Sequence, residues 1–143
     1  MKNLFSIEGK TALVTGGSRG IGEMIAAGFL ANGAKVYISS RKAETCDATA
    51  KRLQEEYGGE CISLPADLSN LEGIESLVGK LSDTSLDILV NNAGASWGEP
   101  IDEYSEKGWD KVMDTNVKGV FFLTQKLLPL LRSSGTAEDP SRV

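Results

Sequence analysis

The sequence predicts an α/β fold of the Rossmann type, a doubly wound parallel sheet whose strands run in the order 3-2-1-4. Three observations carry that expectation. Four short runs rich in Val, Ile and Leu alternate with helical apolar patterns. The runs are continuously apolar rather than alternating, as strands covered on both faces require. A glycine-rich turn joins the first run to the first helical pattern.

Each element follows in chain order. Thr11–Thr15 is the first strand, and the stripe Ile21, Ile25, Gly28 and Phe29 marks the first helix. Lys35–Ser39 is the second strand, followed by a helix striped with Cys46, Ala50, Leu53 and Tyr57. Gly33 and the pair Gly58-Gly59 end these two helices, because glycine takes the conformation that closes a helix. Residues 61–65 form the third strand. Ser69, with Glu72 three residues on, has the form of a capping box and opens a helix striped with Ile74, Leu77, Val78 and Leu81. Residues 86–91 are the fourth strand and 95–100 a loop. A long helix spans about 109–131, with a short one before it. Its buried stripe is Trp109, Val112, Met113, Val117, Val120, Phe121, Leu127, Leu128 and Leu131. Residues 133–142 are rich in Ser, Gly, Pro and acid and read as a loop. Parallel neighbours need crossovers, and right-handed crossovers fix the strand order. The fourth strand then sits at an open, apolar sheet edge, which more chain or another chain must cover.

A length of 143 residues suits one domain with its own core, and 41% apolar residues with interspersed charge suit a folded soluble protein. The net charge of −5 and the lack of histidine exclude electrostatic nucleic-acid binding, which needs a clustered basic footprint. An anionic ligand must therefore be held locally, by backbone N–H groups or single arginines. Cys46 and Cys61 match no metal spacing and no disulfide framework, and read as small apolar residues in a reducing compartment. Residues 1–10 lack an apolar core of signal length, so no signal segment is expected there. The longest apolar stretch, 120–131, is interrupted by Gln125 and Lys126 and is too short to span a bilayer. The expectation is a cytoplasmic protein with no membrane and no nucleic-acid partner.

The turn Gly16-Gly17-Ser18-Arg19-Gly20-Ile21-Gly22 has the spacing G-x-x-x-G-x-G. Its glycines let a ligand approach the backbone, and free N–H groups at a helix start favour a diphosphate. Gly22 lets the helix pack on the sheet. In this fold an acid roughly 20 residues past the glycines usually grips a ribose 2′-OH. Here the second strand ends Ser39-Ser40-Arg41-Lys42, with no carboxylate. Ser40 and Arg41, with Arg19 on the turn, suit a 2′-phosphate, so the pattern favours NADP(H) over NAD(H). The alternative is that Arg41 and Lys42 are solvated charges opening a helix.

Asp67, in Pro65-Ala66-Asp67-Leu68, sits where it can accept an adenine amino group or serve as a turn acid before Ser69. Asn91-Asn92-Ala93-Gly94 ends the fourth strand. Small residues there let a cofactor cross the sheet edge, and Asn side chains can tie neighbouring loops together; the alternative is an ordinary Asn-rich turn. Asn116 falls on the apolar stripe of the long helix, where a buried amide must find partners. It is structural or functional with equal reason. Thr124 shares the stripe and can bond back to its own helix.

At these motifs the sequence resembles the short-chain dehydrogenase/reductase family. Residues 15–22 match its TGxxxGxG turn, Asp67 its acid after the third strand, 91–94 its NNAG motif, and Asn116 its helix asparagine. The narrower resemblance is to the 3-oxoacyl-[acyl-carrier-protein] reductase group and its rhamnolipid-type branch, through 14–22, 87–94, 96–98 and 127–132. The resemblance implies that residues 1–143 are the NADP-binding, amino-terminal part of an NADPH/NADP+-dependent reductase of a ketone, a small molecule or a 3-oxoacyl thioester. It implies cofactor contacts at Gly16, Gly17, Ser18, Arg19, Gly20, Ile21, Gly22, Ser40, Arg41, Asp67, Leu68, Asn92, Ala93 and Gly94. It gives Asn116 a catalytic role, positioning a water, and implies a homo-oligomer, tetramer or dimer. The family's serine and Tyr-x-x-x-Lys are missing: Tyr37, Tyr57 and Tyr104 have no Lys four residues on. The expectation is a partial sequence that is inactive alone. The competing readings are a dinucleotide-binding module without catalysis and a half-domain needing a partner chain.

Overall fold

The β-branched runs Thr11–Thr15 and Lys35–Ser39 form strands β1 and β2 with the expected bounds. In the computed structural model, which describes residues 5–143, they are joined by β3 (Cys61–Ser63) and β4 (Ile88–Val90). All pair in parallel, in the order β3-β2-β1-β4. The Rossmann-type expectation is borne out.

Strand alternation sends Leu13 and Tyr37 to one face and Val14, Val36 and Ile38 to the other, so two cores form. The first is closed by α3 (Leu71–Lys80) and α5 (Gly119–Ser134), the second by α1 (Gly20–Ala31) and α2 (Ala43–Tyr57). Burial on both faces explains why the strand sequences are continuously apolar.

β3 and β4 are shorter than the runs predicted. Pro65 has no N–H, and the backbone continues only as Leu64 N–H to Ile38 C=O and Ala66 N–H to Ser40 C=O. Leu86 N–H leaves the ladder for Ser134 Oγ, 3.0 Å away.

The helices need three corrections. In α1 the buried line is Gly22, Ala26 and Leu30, while Ile21 is 71% exposed and Gly28 is exposed. Close approach at Gly22 rotates that face toward the sheet. The cap of α3 is Asn70, whose Oδ1 accepts from Gly73 N–H at 2.8 Å; Ser69 bonds Asp67 instead. The long helix is broken into α4 (Glu106–Met113), a π-helical segment at Asp114–Lys118, and α5. A 3₁₀ turn, Ile101–Glu103, precedes α4. The widened π turn changes the phase, so the apolar stripe does not stay buried. Trp109, Val117 and Phe121 are 58%, 53% and 60% exposed, and Gly108, Gly119, Leu123, Leu127 and Leu131 are buried. Asn116 is exposed rather than buried.

The tail is a loop that ends on the sheet. Arg142 forms a parallel bridge with Ile88: Leu89 N–H donates to Arg142 C=O and Arg142 N–H to Asp87 C=O, each at 2.9 Å. Lys10 ties the tail down through Asp139 and Asp87, and Asp87 Oδ2 accepts Thr11 N–H at 2.9 Å. The outer edge of β4 is thus covered at one residue. Among the described residues no helix is long and apolar enough to cross a membrane.

Candidate functional site

The site begins where β1 runs into α1. Gly16 and Gly20 have φ of 65° and 57°, a region open to glycine and strained for other residues. Gly17 and Gly22 are glycines for lack of room. A Cβ on Gly17 would lie 2.8 Å from Ile38 Cβ, and one on Gly22 would overlap the Gly16 carbonyl oxygen. Thr49 Oγ1 donates to Ser18 C=O at 3.0 Å and Gly17 N–H to Ser39 C=O at 3.2 Å, so α2 and β2 hold the turn. Arg19 caps α1 in an extended conformation with no side-chain bond. The first N–H groups of a twelve-residue helix are therefore left for an anion.

Thr15 is the hub joining this turn to the end of β4. Its Oγ1 accepts N–H from Asn92 and Ala93, both at 3.0 Å, and donates to Val90 C=O at 3.2 Å. Asn92 Nδ2 donates to Thr15 C=O at 3.0 Å, so its side chain ties loop to loop. Asn91 Nδ2 donates to Thr124 Oγ1 at 3.1 Å; Thr124 therefore serves the β4 loop and not its own helix.

Asn116 clamps the next loop from the π segment. Its Oδ1 accepts Ala95 N–H at 2.8 Å and its Nδ2 donates to Ala95 C=O at 2.9 Å. An exposed amide with both ends bonded to one residue is a positioning device. The loop's far end is held too: Glu99 accepts Ser105 N–H and Oγ–H, each at 2.7 Å, and those bonds hold its carboxyl below the usual range. Asp67 Oδ1 accepts both Ser69 N–H and Ser69 Oγ–H, the turn-acid geometry, and Oδ2 has no partner among the described residues.

These loops enclose a cleft of about 570 Å³ at the carboxyl edge of the sheet. Of the residues expected at a cofactor, Gly16, Ser18, Arg19, Gly20, Ser40, Arg41, Asp67, Leu68, Asn92, Ala93 and Gly94 line it. Gly17 and Gly22 shape the turn from behind, Ile21 points to solvent, and Asn116 acts on the cleft through Ala95. The sequence reading missed Ser39, Thr45, Ala66, Ala95 and Thr115, which also line it. Thr45 carried a signal: it falls four residues after Arg41, one helical turn away.

The electrostatics single out one end. Arg19, Arg41 and Lys42 all line the cleft, and none forms an ion pair among the described residues, although the chain carries −5. Ser39 and Ser40 present buried Oγ atoms with no partner. A buried hydroxyl without a partner is costly, so these atoms suit an acceptor brought by a ligand. Ser63 Oγ is in the same condition outside the cleft. Cys46, on the buried face of α2, and Cys61 are free and lie in the second core, away from the cleft lining, and burial pushes the Cys61 thiol up to about 11.

Comparison with known proteins decides the family. The short chain dehydrogenase model matches residues 10–138. The chain belongs to the short-chain dehydrogenase family. Within this family it is 54% identical, over 145 aligned positions, to the rhamnolipids biosynthesis 3-oxoacyl-[acyl-carrier-protein] reductase of Pseudomonas aeruginosa. That alignment covers 100% of this chain and 56% of the relative, and it bears out the expected likeness to the 3-oxoacyl reductase group. Among solved structures, the P. aeruginosa RhlG/NADP active-site complex superimposes with a TM-score of 0.93 at 54% identity, covering 100% of this chain and 56% of that one. L-sorbose reductase of Gluconobacter frateurii, complexed with NADPH and L-sorbose, gives 0.86 at 33% identity, covering 91% and 50%. This short-chain dehydrogenase chain thus spans about half the length of the relatives it matches.

Proposed function

We propose that residues 1–143 form the NADP-binding, amino-terminal part of an NADPH-dependent reductase that converts a ketone, a 3-oxoacyl thioester, to its hydroxy product. The observation that carries the cofactor is the cleft end where Arg41, Lys42 and Arg19 stand unpaired among the described residues, beside buried serine hydroxyls with no partner there. A 2′-phosphate would satisfy both needs at once, through charge-assisted bonds from Arg41 and a hydroxyl bond from Ser40. No carboxylate stands at this end of β2 to prefer a ribose hydroxyl. Two of the similar structures are complexes with NADP or NADPH, which supports the same choice.

The remaining residues fit the rest of the dinucleotide. Backbone N–H groups at the start of α1 would take the pyrophosphate, and Gly16 and Gly20 let it approach. Asp67 and Leu68 would face the adenine, and Asn92, Ala93 and Gly94 would line the path across the sheet edge. When bound, NADPH supplies the hydride. Asn116 holds the Ala95 backbone, and so the loop beside that path, in place.

The 143 residues contain no Tyr-x-x-x-Lys, so they furnish no obvious proton donor for a ketone. That same observation favours a second reading, a dinucleotide-binding module without catalysis. Ile101 and Trp109, both largely exposed and lining one shallow apolar groove, support a homo-oligomer, since large apolar side chains gathered on a surface are usually covered. The test is a fluorescence titration with NADPH and NADH, followed by an assay with a 3-oxoacyl thioester. The proposal expects NADPH to bind more tightly, no reduction by residues 1–143 alone, and reduction by a longer chain carrying the Tyr-Lys pair. Binding without reduction by that longer chain would favour the module, and no binding of either nucleotide would remove both readings.

A further inference from the structure

Two glycines outside the cleft press on one of its walls. Gly73 is the third residue of α3, and Gly119 is the first residue of α5. A Cβ on Gly73 would overlap the Asp67 carbonyl oxygen and lie 2.8 Å from the Asp67 carbonyl carbon and 3.2 Å from its nitrogen. A Cβ on Gly119 would overlap the Leu68 carbonyl oxygen and lie 3.1 Å from the Asp114 oxygen. In both cases the obstacle is backbone, which cannot swing aside as a side-chain tip can.

The dipeptide between them has little freedom to yield. The Leu68 side chain is buried in the core with Ile74, Leu77 and Leu123. The Asp67 carboxylate is bonded to Ser69. Glycine inside or opening a helix is unfavourable on propensity alone, and at Gly73 and Gly119 the backbone contact gives a local reason for it. Gly79, in the same helix α3, has open space where its Cβ would go, which makes the contact at Gly73 specific.

Asp67 and Leu68 both line the cleft, and they offer complementary groups side by side. Asp67 Oδ2 is an acceptor without a partner, and Leu68 N–H is a donor without one among the described residues. An adenine edge presents an amino donor next to a ring-nitrogen acceptor. We propose that Gly73 and Gly119 are positioning residues: two helices, each lacking a side chain at its contact point, fix the Asp67-Leu68 backbone as the wall that discriminates the purine base. The inference rests on the NADPH reading above.

The experiment compares Gly73→Ala, Gly119→Ala and the control Gly79→Ala in the full-length protein. Each is titrated with NADPH and with its hypoxanthine analogue, in which a carbonyl replaces the adenine amino group. The unmodified protein and Gly79→Ala should prefer NADPH by about 5- to 150-fold, the worth of two net hydrogen bonds, since the analogue lacks the amino donor and its adjacent ring nitrogen carries a proton. Gly73→Ala and Gly119→Ala should bring that ratio close to one. A purely structural loss would weaken both ligands equally and preserve the ratio, which would overturn the inference. Failure of the unmodified protein to bind NADPH would instead sink the cofactor reading. If neither variant folds, amide exchange in the unmodified protein decides. Leu68 N–H should be protected more by NADPH than by the analogue, and equal protection would overturn the proposal.

Discussion

Arg41 has one structural neighbour that matters, the partnerless hydroxyl of Ser40 beside it in the cleft. Losing a charge-assisted hydrogen bond costs about 1.5–3 kcal/mol, or about 10- to 100-fold in affinity. Arg41→Asp should therefore weaken NADPH by that factor or more while leaving NADH nearly unchanged, measured by titration in the full-length protein. Equal loss for both nucleotides would count against a 2′-phosphate contact. Cys61 offers a test of the second core. Burial raises its thiol from 9.0 to about 11, so the folded chain keeps its proton longer than the unfolded chain. The associated stability is fully present below about pH 9 and is lost between 9 and 11, amounting to about 2–3 kcal/mol. Denaturant titrations across that window should show the loss in the unmodified chain and a smaller one in Cys61→Ala. At this scale the sequence was legible for Gly16, Gly20, Ser40 and Arg41, whose place at the cleft follows from backbone freedom and charge. It was not legible for Thr15, because a hydroxyl on a buried strand becomes a hub only when β4 brings Asn92 and Ala93 against it.

The helix carrying Asn116 shows what periodicity can and cannot see. An unbroken helix from Trp109 to Leu131 would put Asn116 on the apolar face, and the π segment at Asp114–Lys118 removes it from there. One extra residue in a turn leaves no signature in a hydrophobic pattern, although such bulges gather at functional places. The shift lets Thr115 reach the cleft while Asn116 holds Ala95 with two hydrogen bonds. Removing both bonds should cost about 1 kcal/mol, discounted for the amide's exposure. In an enzyme with its full machinery, Asn116→Ala should lower turnover more than it lowers NADPH affinity. Steady-state rates set against the dissociation constant check this, and a fall in affinity with turnover unchanged would mean that the clamp serves binding alone. The first helix was misread for a related reason. Its apolar residues Ile21 and Met24 are exposed, while glycine and alanine make the closest contact with the sheet.

For the whole chain, strand order and two-sided packing were legible because each parallel strand is mostly apolar on both faces and crossovers between parallel strands are right-handed as a rule. The treatment of the fourth strand's edge was not. A tail rich in Ser, Pro and acid gives no hint that Arg142 will pair with β4, or that Lys10 will bind Asp139 and Asp87 beneath it. Those contacts link residues far apart in sequence and depend on the finished sheet. The same sheet gathers the cleft, bringing a turn after β1, cations after β2, an acid after β3 and an asparagine after β4 to one edge. A crystal structure of the protein with NADPH tests this arrangement most directly. The account predicts the pyrophosphate on the N–H groups opening α1, and the 2′-phosphate within hydrogen-bond distance of Ser40 and Arg41. A nucleotide bound elsewhere, or bound in the cleft with its 2′-phosphate turned to solvent, would contradict it.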